Sequence, residues 1–311
     1  MLGDDLSRAG NTMRIAIVMN PRSGRLSREG ETLIAQLRNH ASVCRVDSLV
    51  EDGEDALKAA LSSGADAIAI AGGDGTIRAV TEMAMRAGSA RPLIPLPLGT
   101  ANLLPRALYG ERDALTILDE ASRYQDHTLT GGELDGHLFL IAAAIGFPST
   151  LARARESLRE DRRDRPLAGA VRNALASVGQ AFLPRLTCRF DDKPAPGRAS
   201  GLYVTLETDP LHPALAGAPA VGDADNPCFA AVLTRWRHIG DLAAAPMDTM
   251  TRTDDPKART RPIGFEVAEI SSRKPLAAMI DGEPLTLGNS ARITRLADPV
   301  HVLKPAESDR A

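Results

Sequence analysis

The sequence predicts two domains of different class, an α/β domain with a parallel sheet followed by a mainly antiparallel β-sandwich domain. Its 311 residues exceed the roughly 100–150 residues near which single domains cluster. Short apolar runs alternate with helical patterns in the first part, and strand-like segments separated by Gly, Pro and Asp dominate the rest. We therefore assign residues 1–126 to the first domain and residues 127–297 to the second.

Continuous apolar runs define the parallel sheet of the first domain. Such runs, without strict alternation, are typical of strands that are buried on both faces. Because Pro95 and Pro97 lie in the third run, that strand should be near an edge or leave the ladder early. The predicted strands are 15–19, 42–46, 67–71 and 93–98, and the predicted helices are 27–40, 54–62 and 77–87.

The second domain is predicted from the change in pattern after residue 126. Strand-like segments become frequent and helices rare, which favours a sandwich or barrel-like sheet. One helical stretch, 149–181, interrupts the strands and should split near Pro166. The predicted strands are 126–134, 137–145, 184–190, 202–206 and 229–233.

Composition and charge narrow the function classes. A net charge of −3 and an aromatic content of 3% argue against nucleic acid as a partner. The three cysteines, Cys44, Cys188 and Cys228, show no C-x-x-C spacing, so neither a zinc site nor a disulfide framework is expected. An acidic amino terminus and apolar runs far below the ~20 residues of a membrane span favour a cytoplasmic protein.

Three loops rich in glycine and small polar residues follow three predicted strands. They are Asn20-Pro21-Arg22-Ser23-Gly24, Gly72-Gly73-Asp74-Gly75-Thr76 and Gly99-Thr100-Ala101-Asn102. In a parallel sheet they share the edge where ligands bind. Glycines let backbone amides approach a polyanion, and a helix amino terminus adds about half a positive charge. Asp74 would repel a bare phosphate, so a bridging Mg²⁺ is expected.

Each loop alone has a simpler interpretation. Gly-Gly-Asp-Gly is compatible with a tight turn, and Asn-Pro often opens a turn. The loops lack the Gly-Lys-Ser/Thr ending of a Walker loop and the third glycine of a dinucleotide fingerprint. Their occurrence at three strand ends favours phosphate binding.

Together with Ile280-Asp281-Gly282-Glu283, these loops resemble the ordered signature of the diacylglycerol kinase catalytic family. The resemblance implies an ATP-dependent lipid kinase that needs Mg²⁺ and acts on a lipid alcohol such as diacylglycerol. It implies that Asp281 is the general base, that Glu283 lies near the metal, and that residues 298–311 return to the first domain. The residues that it places around ATP are Asn20, Ser23, Gly24, Gly72, Gly73, Asp74, Gly75, Thr76, Gly99, Thr100 and Asn102.

The chain departs from the family pattern at several positions. Ala79 stands where a glutamate is usual, Leu103 where an aspartate is frequent, and Ile141 where an asparagine is favoured. The loop 218–226 lacks the usual glycine-rich run. Three alternatives stay open: an NAD kinase or other small-alcohol kinase, a non-catalytic nucleotide or lipid sensor, and a simple hairpin turn at Asp281-Gly282-Glu283.

A lipid substrate would require contact with a membrane surface. The segment 153–172 contains seven arginines and four acids. It is interpreted either as a solvated helix with ion pairs or as a patch for anionic headgroups. We expect transient membrane association, and a homodimer is left open.

Overall fold

The structure is a computed structural model that describes residues 13–49, 53–146, 185–195, 197–215, 229–237, 241 and 258–306. It divides into two compact units, Met1–Leu129 with Asp298–Ala311, and Thr130–Ala297. The predicted helix 149–181 and the loop 218–226 lie outside the described residues. Within the described part of the chain, no helix is both long enough and apolar enough to cross a bilayer.

The first unit contains a six-stranded sheet in the order β2-β1-β3-β4-β18-β5. Strands β1 to β4 are parallel to one another, β18 is parallel to β4, and β5 is antiparallel to β18. The strands are β1 Ile15–Met19, β2 Val43–Ser48, β3 Ala67–Gly72, β4 Leu93–Pro97, β5 Gln125–Leu129 and β18 Val300–Lys304. The helices are α1 Gly24–Arg38, α2 Gly53–Ser62, α3 Asp74–Arg86, α4 Leu103–Tyr109 and α5 Ala114–Glu120, followed by a 3₁₀ turn at Ala121–Arg123.

Burial explains why the first unit forms these elements. Every residue of β1 and β3 is buried, as their uninterrupted apolar sequences predict. Strand β4 is not an edge strand, but it does leave one ladder early: it pairs with β3 over five residues and with β18 only through Leu93 and Val302. Pro95 and Pro97 therefore follow the single β18 pair, which fits the missing N–H of proline. Helix α1 is interrupted by non-helical geometry at Gly30.

Among the described residues, the second unit contains two six-stranded sheets, ordered β10-β9-β14-β17-β6-β7 and β13-β12-β11-β8-β15-β16. All their pairings are antiparallel. The strands are β6 Gly132–Leu134, β7 His137–Phe139, β8 Ala142–Gly146, β9 Thr187–Phe190, β10 Lys193–Pro194, β11 Gly201–Thr205, β12 Phe229–Thr234, β13 Thr260–Phe265, β14 Ala268–Ser271, β15 Leu276–Ile280, β16 Glu283–Leu287 and β17 Ser290–Arg295, and the short helix α6 is His212–Leu215.

A common apolar core joins the two sheets of the second unit. Phe139 of one sheet stacks on Phe229 of the other with ring centroids 5.9 Å apart. Phe190 and Phe265 make a second contact between the sheets at 5.1 Å. The predicted sandwich is thereby confirmed.

Two predicted strands are each divided in the structure. Residues 126–134 form β5 in the first unit and β6 in the second, and residues 137–145 form β7 and β8. The second break falls at Leu140 and Ile141, whose backbone N–H groups bond to a side chain distant in sequence. The sequence pattern could not indicate that break, because both residues are apolar and buried.

Candidate active site

The three glycine loops of the first unit converge on one point. A Cβ on Gly99 would lie 2.4 Å from the Cα of Gly73, and a Cβ on Gly24 would lie 2.9 Å from the carbonyl carbon of Gly99. A Cβ on Gly72 would lie 2.6 Å from the side chain of Thr76. Only glycine permits such close approach of backbone segments. The structure therefore brings the loops after β1, β3 and β4 together, as their positions at parallel strand ends predict.

Side-chain hydrogen bonds fix these loops to one another and to themselves. Asn20 donates from Nδ2 to Oγ1 of Thr76 at 3.1 Å, which connects the first loop to α3. Its Oδ1 accepts from the backbone N–H of Arg22. Asn102 accepts from the N–H of Gly99 at 2.7 Å and has a left-handed backbone with φ of 51°. Asparagine tolerates this conformation better than most residues, so Asn102 closes the third loop where α4 begins.

Asp74 lies at the junction of two helix starts. It is the first residue of α3, and its Oδ1 accepts from the backbone N–H of Leu104 in the first turn of α4 at 3.2 Å. Burial raises the pKa of this half-buried carboxyl, and the nearby backbone N–H groups of residues 102–104 act in the opposite direction. A cation beside Asp74 would stabilise its ionised form.

The other predicted residues of these loops differ in exposure. Ser23 donates from Oγ to the carbonyl of Asn20 at 3.0 Å and precedes α1 without a side-chain cap. Gly75 is half-buried in the first turn of α3, and Thr100 is exposed at the tip of its loop. The loops thus present backbone amides, hydroxyls and one carboxylate, a donor set suited to a polyphosphate with its metal.

The second unit places Asp281 in a two-residue hairpin turn between β15 and β16. Asp281 and Gly282 both have positive φ, 48° and 87°, as a type I′ turn requires. The turn is nevertheless not simply a surface feature, because Asp281 is 5% exposed. Its Oδ2 accepts from the N–H of Leu140 at 2.8 Å, and its Oδ1 accepts from Ile141 and Ala142 at 2.9 and 3.0 Å. Glu283, two residues later, is exposed.

Sequence reasoning missed the backbone partners of both acids. The amide of Leu104 and the three amides of Leu140–Ala142 carry no recognisable side-chain signal. Ile141 lacks the side-chain amide that the family pattern favours at this position, and it contributes its main-chain N–H to Asp281. Only the pairing of distant segments reveals these contacts.

The family model for the diacylglycerol kinase catalytic domain matches residues 14–133. Residues 14–133 are thus similar to this catalytic domain. The matched residues include all three converging loops, and Asp281 and Glu283 lie beyond them. The prediction of an ATP-dependent lipid kinase is confirmed at the level of this family.

Similarities to individual proteins support the match to this catalytic domain. A protein of Pseudomonas syringae pv. syringae named as a probable lipid kinase, YegS-like, is 28% identical over 272 residues, which cover 83% of this chain and 82% of that protein. A protein of Pseudomonas aeruginosa with the same name is 38% identical over 116 residues, covering 35% of this chain and 37% of that protein. The crystal structure of a diacylglycerol kinase from Bacillus anthracis has a TM-score of 0.60 at 15% identity and covers 95% of this chain and 98% of that one. This last similarity confirms the fold.

Proposed function

We propose that the protein transfers the γ-phosphate of ATP to the hydroxyl of a lipid such as diacylglycerol at a membrane surface. The observation that carries the proposal is the convergence of Gly24, Gly73 and Gly99, with Asp74 half-buried beside them. A larger residue at any of these glycines would fill space that backbone occupies or a phosphate needs. Phosphoryl transfer depends chiefly on positioning and charge stabilisation, which a rigid cradle of amides supplies.

The donor side of the reaction is assigned to the first unit. Backbone amides of the three loops and the polar groups of Asn20, Ser23, Thr76, Thr100 and Asn102 would bind the ATP phosphates. Mg²⁺ fits this donor set, because kinases bind it through one or two carboxylates together with substrate phosphates, and Asp74 offers a carboxylate. When bound, Mg²⁺ neutralises charge that develops on the transferred phosphoryl group.

The acceptor side is assigned to the turn at Asp281. The three backbone N–H groups fix the position of the Asp281 carboxylate, and a carboxylate in a fixed position can serve as a general base. We assign Asp281 as the base for the lipid hydroxyl and the exposed Glu283 as a contact of the metal. The same hydrogen bonds give Asp281 a structural role as well. Substitutions at Asp281 and Glu283 must therefore be compared by both stability and turnover.

Membrane contact is assigned to the arginine-rich segment 153–172, which lies outside the described residues. Each basic residue near an anionic surface contributes about 1 kcal/mol of attraction. Replacing Arg159, Arg162 and Arg163 with glutamine should weaken co-sedimentation with anionic vesicles and flatten its salt dependence, because exposed charges are screened over about 8 Å at physiological ionic strength. Equal binding by the triple variant would contradict this assignment. Transient membrane association of a cytoplasmic protein would then depend on other residues.

The decisive experiment is an assay with labelled ATP against several acceptors. The panel contains diacylglycerol, monoacylglycerol, sphingosine, ceramide, undecaprenol, phosphatidylglycerol and NAD. Magnesium-dependent labelling of a lipid alcohol is the expected result. Labelling of NAD alone would indicate an NAD kinase, and tight ATP binding without labelling of any acceptor would indicate a nucleotide sensor.

A further inference from the structure

The peptide segment Leu140–Ala142 in the second unit is hydrogen-bonded from two sides. Its three N–H groups donate to the carboxylate of Asp281. Its carbonyls accept from other groups: Leu140 from Oγ1 of Thr208, Ile141 from the N–H of Leu206 at 2.9 Å, and Ala142 from the N–H of Asp281 at 2.9 Å. The Leu140–Ala142 peptide therefore fixes the position of the Asp281 carboxylate. Hydrogen bonds from Leu206 and Thr208 in turn fix this peptide.

A buried carboxylate fixes the segment 206–208. Asp209 is 4% exposed, and its N–H closes the turn on the carbonyl of Leu206 at 2.9 Å. Its Oδ2 accepts from the hydroxyl of Tyr203 at 2.6 Å, and its Oδ1 accepts from the N–H of Leu211 at 2.6 Å. Burial of a carboxylate costs free energy. If this turn contributed only to stability, apolar side chains would therefore be the more favourable choice.

The phenol of Tyr203 lies within the electrostatic reach of both acids. Burial raises its pKa well above the ordinary value, and the hydrogen bond and charge of Asp209 and the charge of Asp281 add to this effect. Tyr203 therefore stays neutral and donates a hydrogen bond to Asp209. The turn between β11 and α6 is thus tied to the same buried polar cluster as the turn between β15 and β16.

We propose that Thr208, Asp209 and Tyr203 are positioning residues that hold the Leu140–Ala142 peptide in place and, through it, orient the carboxylate of Asp281 for the acceptor hydroxyl. This inference rests on the proposed function, because it takes Asp281 as the acceptor-side carboxylate. None of the three residues touches the reacting atoms in this scheme. Their contribution is the fixed placement of Asp281, and a displacement of about 1 Å at a reacting group lowers a rate by as much as ~10²-fold.

Substitutions at Thr208 test the inference with little change in shape. Thr208→Val removes only the hydroxyl that binds Leu140, and Thr208→Ser keeps it. With dioleoylglycerol in detergent micelles as the acceptor, Thr208→Val should lower kcat roughly 10- to 100-fold with an unchanged KM for ATP, and Thr208→Ser should restore it. Tyr203→Phe, which frees one oxygen of Asp209, should act in the same direction.

Thr260→Val is the matched control for loss of a buried hydroxyl. Thr260 accepts a hydrogen bond from Nε1 of Trp236 at 2.9 Å and is 1% exposed. It lies on β13, which β12, β11 and β8 separate from β15 in the same sheet. Its loss should lower the Tm without changing kcat. If Thr208→Val behaved like this control, with a lowered Tm and wild-type kcat, the inference would be overturned.

Hydrogen exchange tests the same inference without any activity. Thr208→Val and Asp281→Asn should both accelerate amide exchange at residues 140–142, measured by mass spectrometry of the intact chain after pepsin digestion, whereas Thr260→Val should not. Wild-type exchange at these amides in Thr208→Val would refute the inference, even if no acceptor were phosphorylated. Accelerated exchange together with an inactive wild-type protein would instead contradict the proposed function and support only the structural placement of Asp281 by Thr208.

Discussion

Asp74 in the first unit and Asp281 in the second are both acids placed among backbone amides, but they are held differently. Asp74 is half-buried, its Oδ1 accepts from Leu104, and burial raises its pKa. Asp281 is almost fully buried and accepts three backbone N–H groups. A carboxylate held weakly by protein can exchange its partners for a metal ion, whereas one held by three bonds is part of the fold. The comparison predicts opposite effects on stability when each acid is neutralised.

We expect the largest effect from a substitution that disturbs the close contact between the three glycine loops of the first unit. Gly99→Ala would place a Cβ 2.4 Å from the Cα of Gly73, a backbone atom, and 3.0 Å from Oδ1 of Asn102. We expect a loss of about 3 kcal/mol or more in the free energy of unfolding, at the upper end for overpacking, and no measurable MgATP binding by calorimetry.

Gly288→Ala is the control for this substitution. Gly288 has open space around its Cβ position, and its φ is not in the left-handed region. Its stability should change by less than about 1 kcal/mol and its MgATP affinity should stay that of the wild type. A Gly99→Ala protein that binds MgATP normally would show that the loops do not form the nucleotide site.

Neutralising Asp281 gives the next largest effect. In Asp281→Asn one carboxylate oxygen becomes an NH₂ group, so at least one of the N–H groups of Leu140–Ala142 loses its acceptor. An unsatisfied buried donor costs about 1–3 kcal/mol of stability, and loss of a general base lowers turnover ~10²–10⁴-fold. Denaturant unfolding and the labelled-ATP assay measure the two effects, and MgATP affinity should be unchanged.

The substitution Glu283→Gln separates the role of Glu283 from that of Asp281. Glu283 is exposed, so its substitution should change stability by no more than about 0.5 kcal/mol while raising the Mg²⁺ concentration needed for turnover. If Asp281→Asn kept wild-type turnover and Glu283→Gln lost it with an altered pH profile, the base assignment would pass to Glu283, and Asp281 would keep only its structural role.

The two regions also differ in how far the sequence alone predicts them. The donor loops follow strands that pair in parallel, so their convergence follows from the order of apolar runs and glycines along the chain. The contacts of Asp281 join residues about 140 positions apart in sequence through antiparallel pairing of β8 with β15. No local pattern at Leu140 or Ile141 indicates this partner, and only the family resemblance points to Asp281 as a functional residue.

The same reasoning explains the strands that the sequence did not predict. Several of the strands β13 to β17 contain proline, glycine or charged residues, which weaken the local strand signal, such as Pro262 and Gly264 in β13. Their pairing with long-range partners over the common core stabilises them despite weak local preference. In the first unit, by contrast, burial on both faces makes the local apolar signal strong.

Asp74→Asn should have the smallest effect on stability and an effect opposite in sign to that of Asp281→Asn. Burial raises the folded-state pKa of Asp74 above its ordinary value of 3.8, so the protonated form is favoured by folding. Its contribution to stability is complete below that ordinary value and is lost as the pH rises through the folded-state pKa. Asparagine keeps an oxygen for the N–H of Leu104 without the charge, so the Tm of Asp74→Asn relative to the wild type should increase as the pH rises from the ordinary value of 3.8 through the folded-state pKa. The same variant should lose magnesium-dependent turnover below detection and show weakened MgATP affinity, because the metal needs the charge. Thermal unfolding across this pH range without nucleotide, and titration with MgATP at neutral pH, measure the two effects. A folded Asp74→Asn protein with wild-type affinity and turnover would remove Asp74 from the site, and a Tm difference independent of pH would show that the carboxylate is not desolvated in the folded protein.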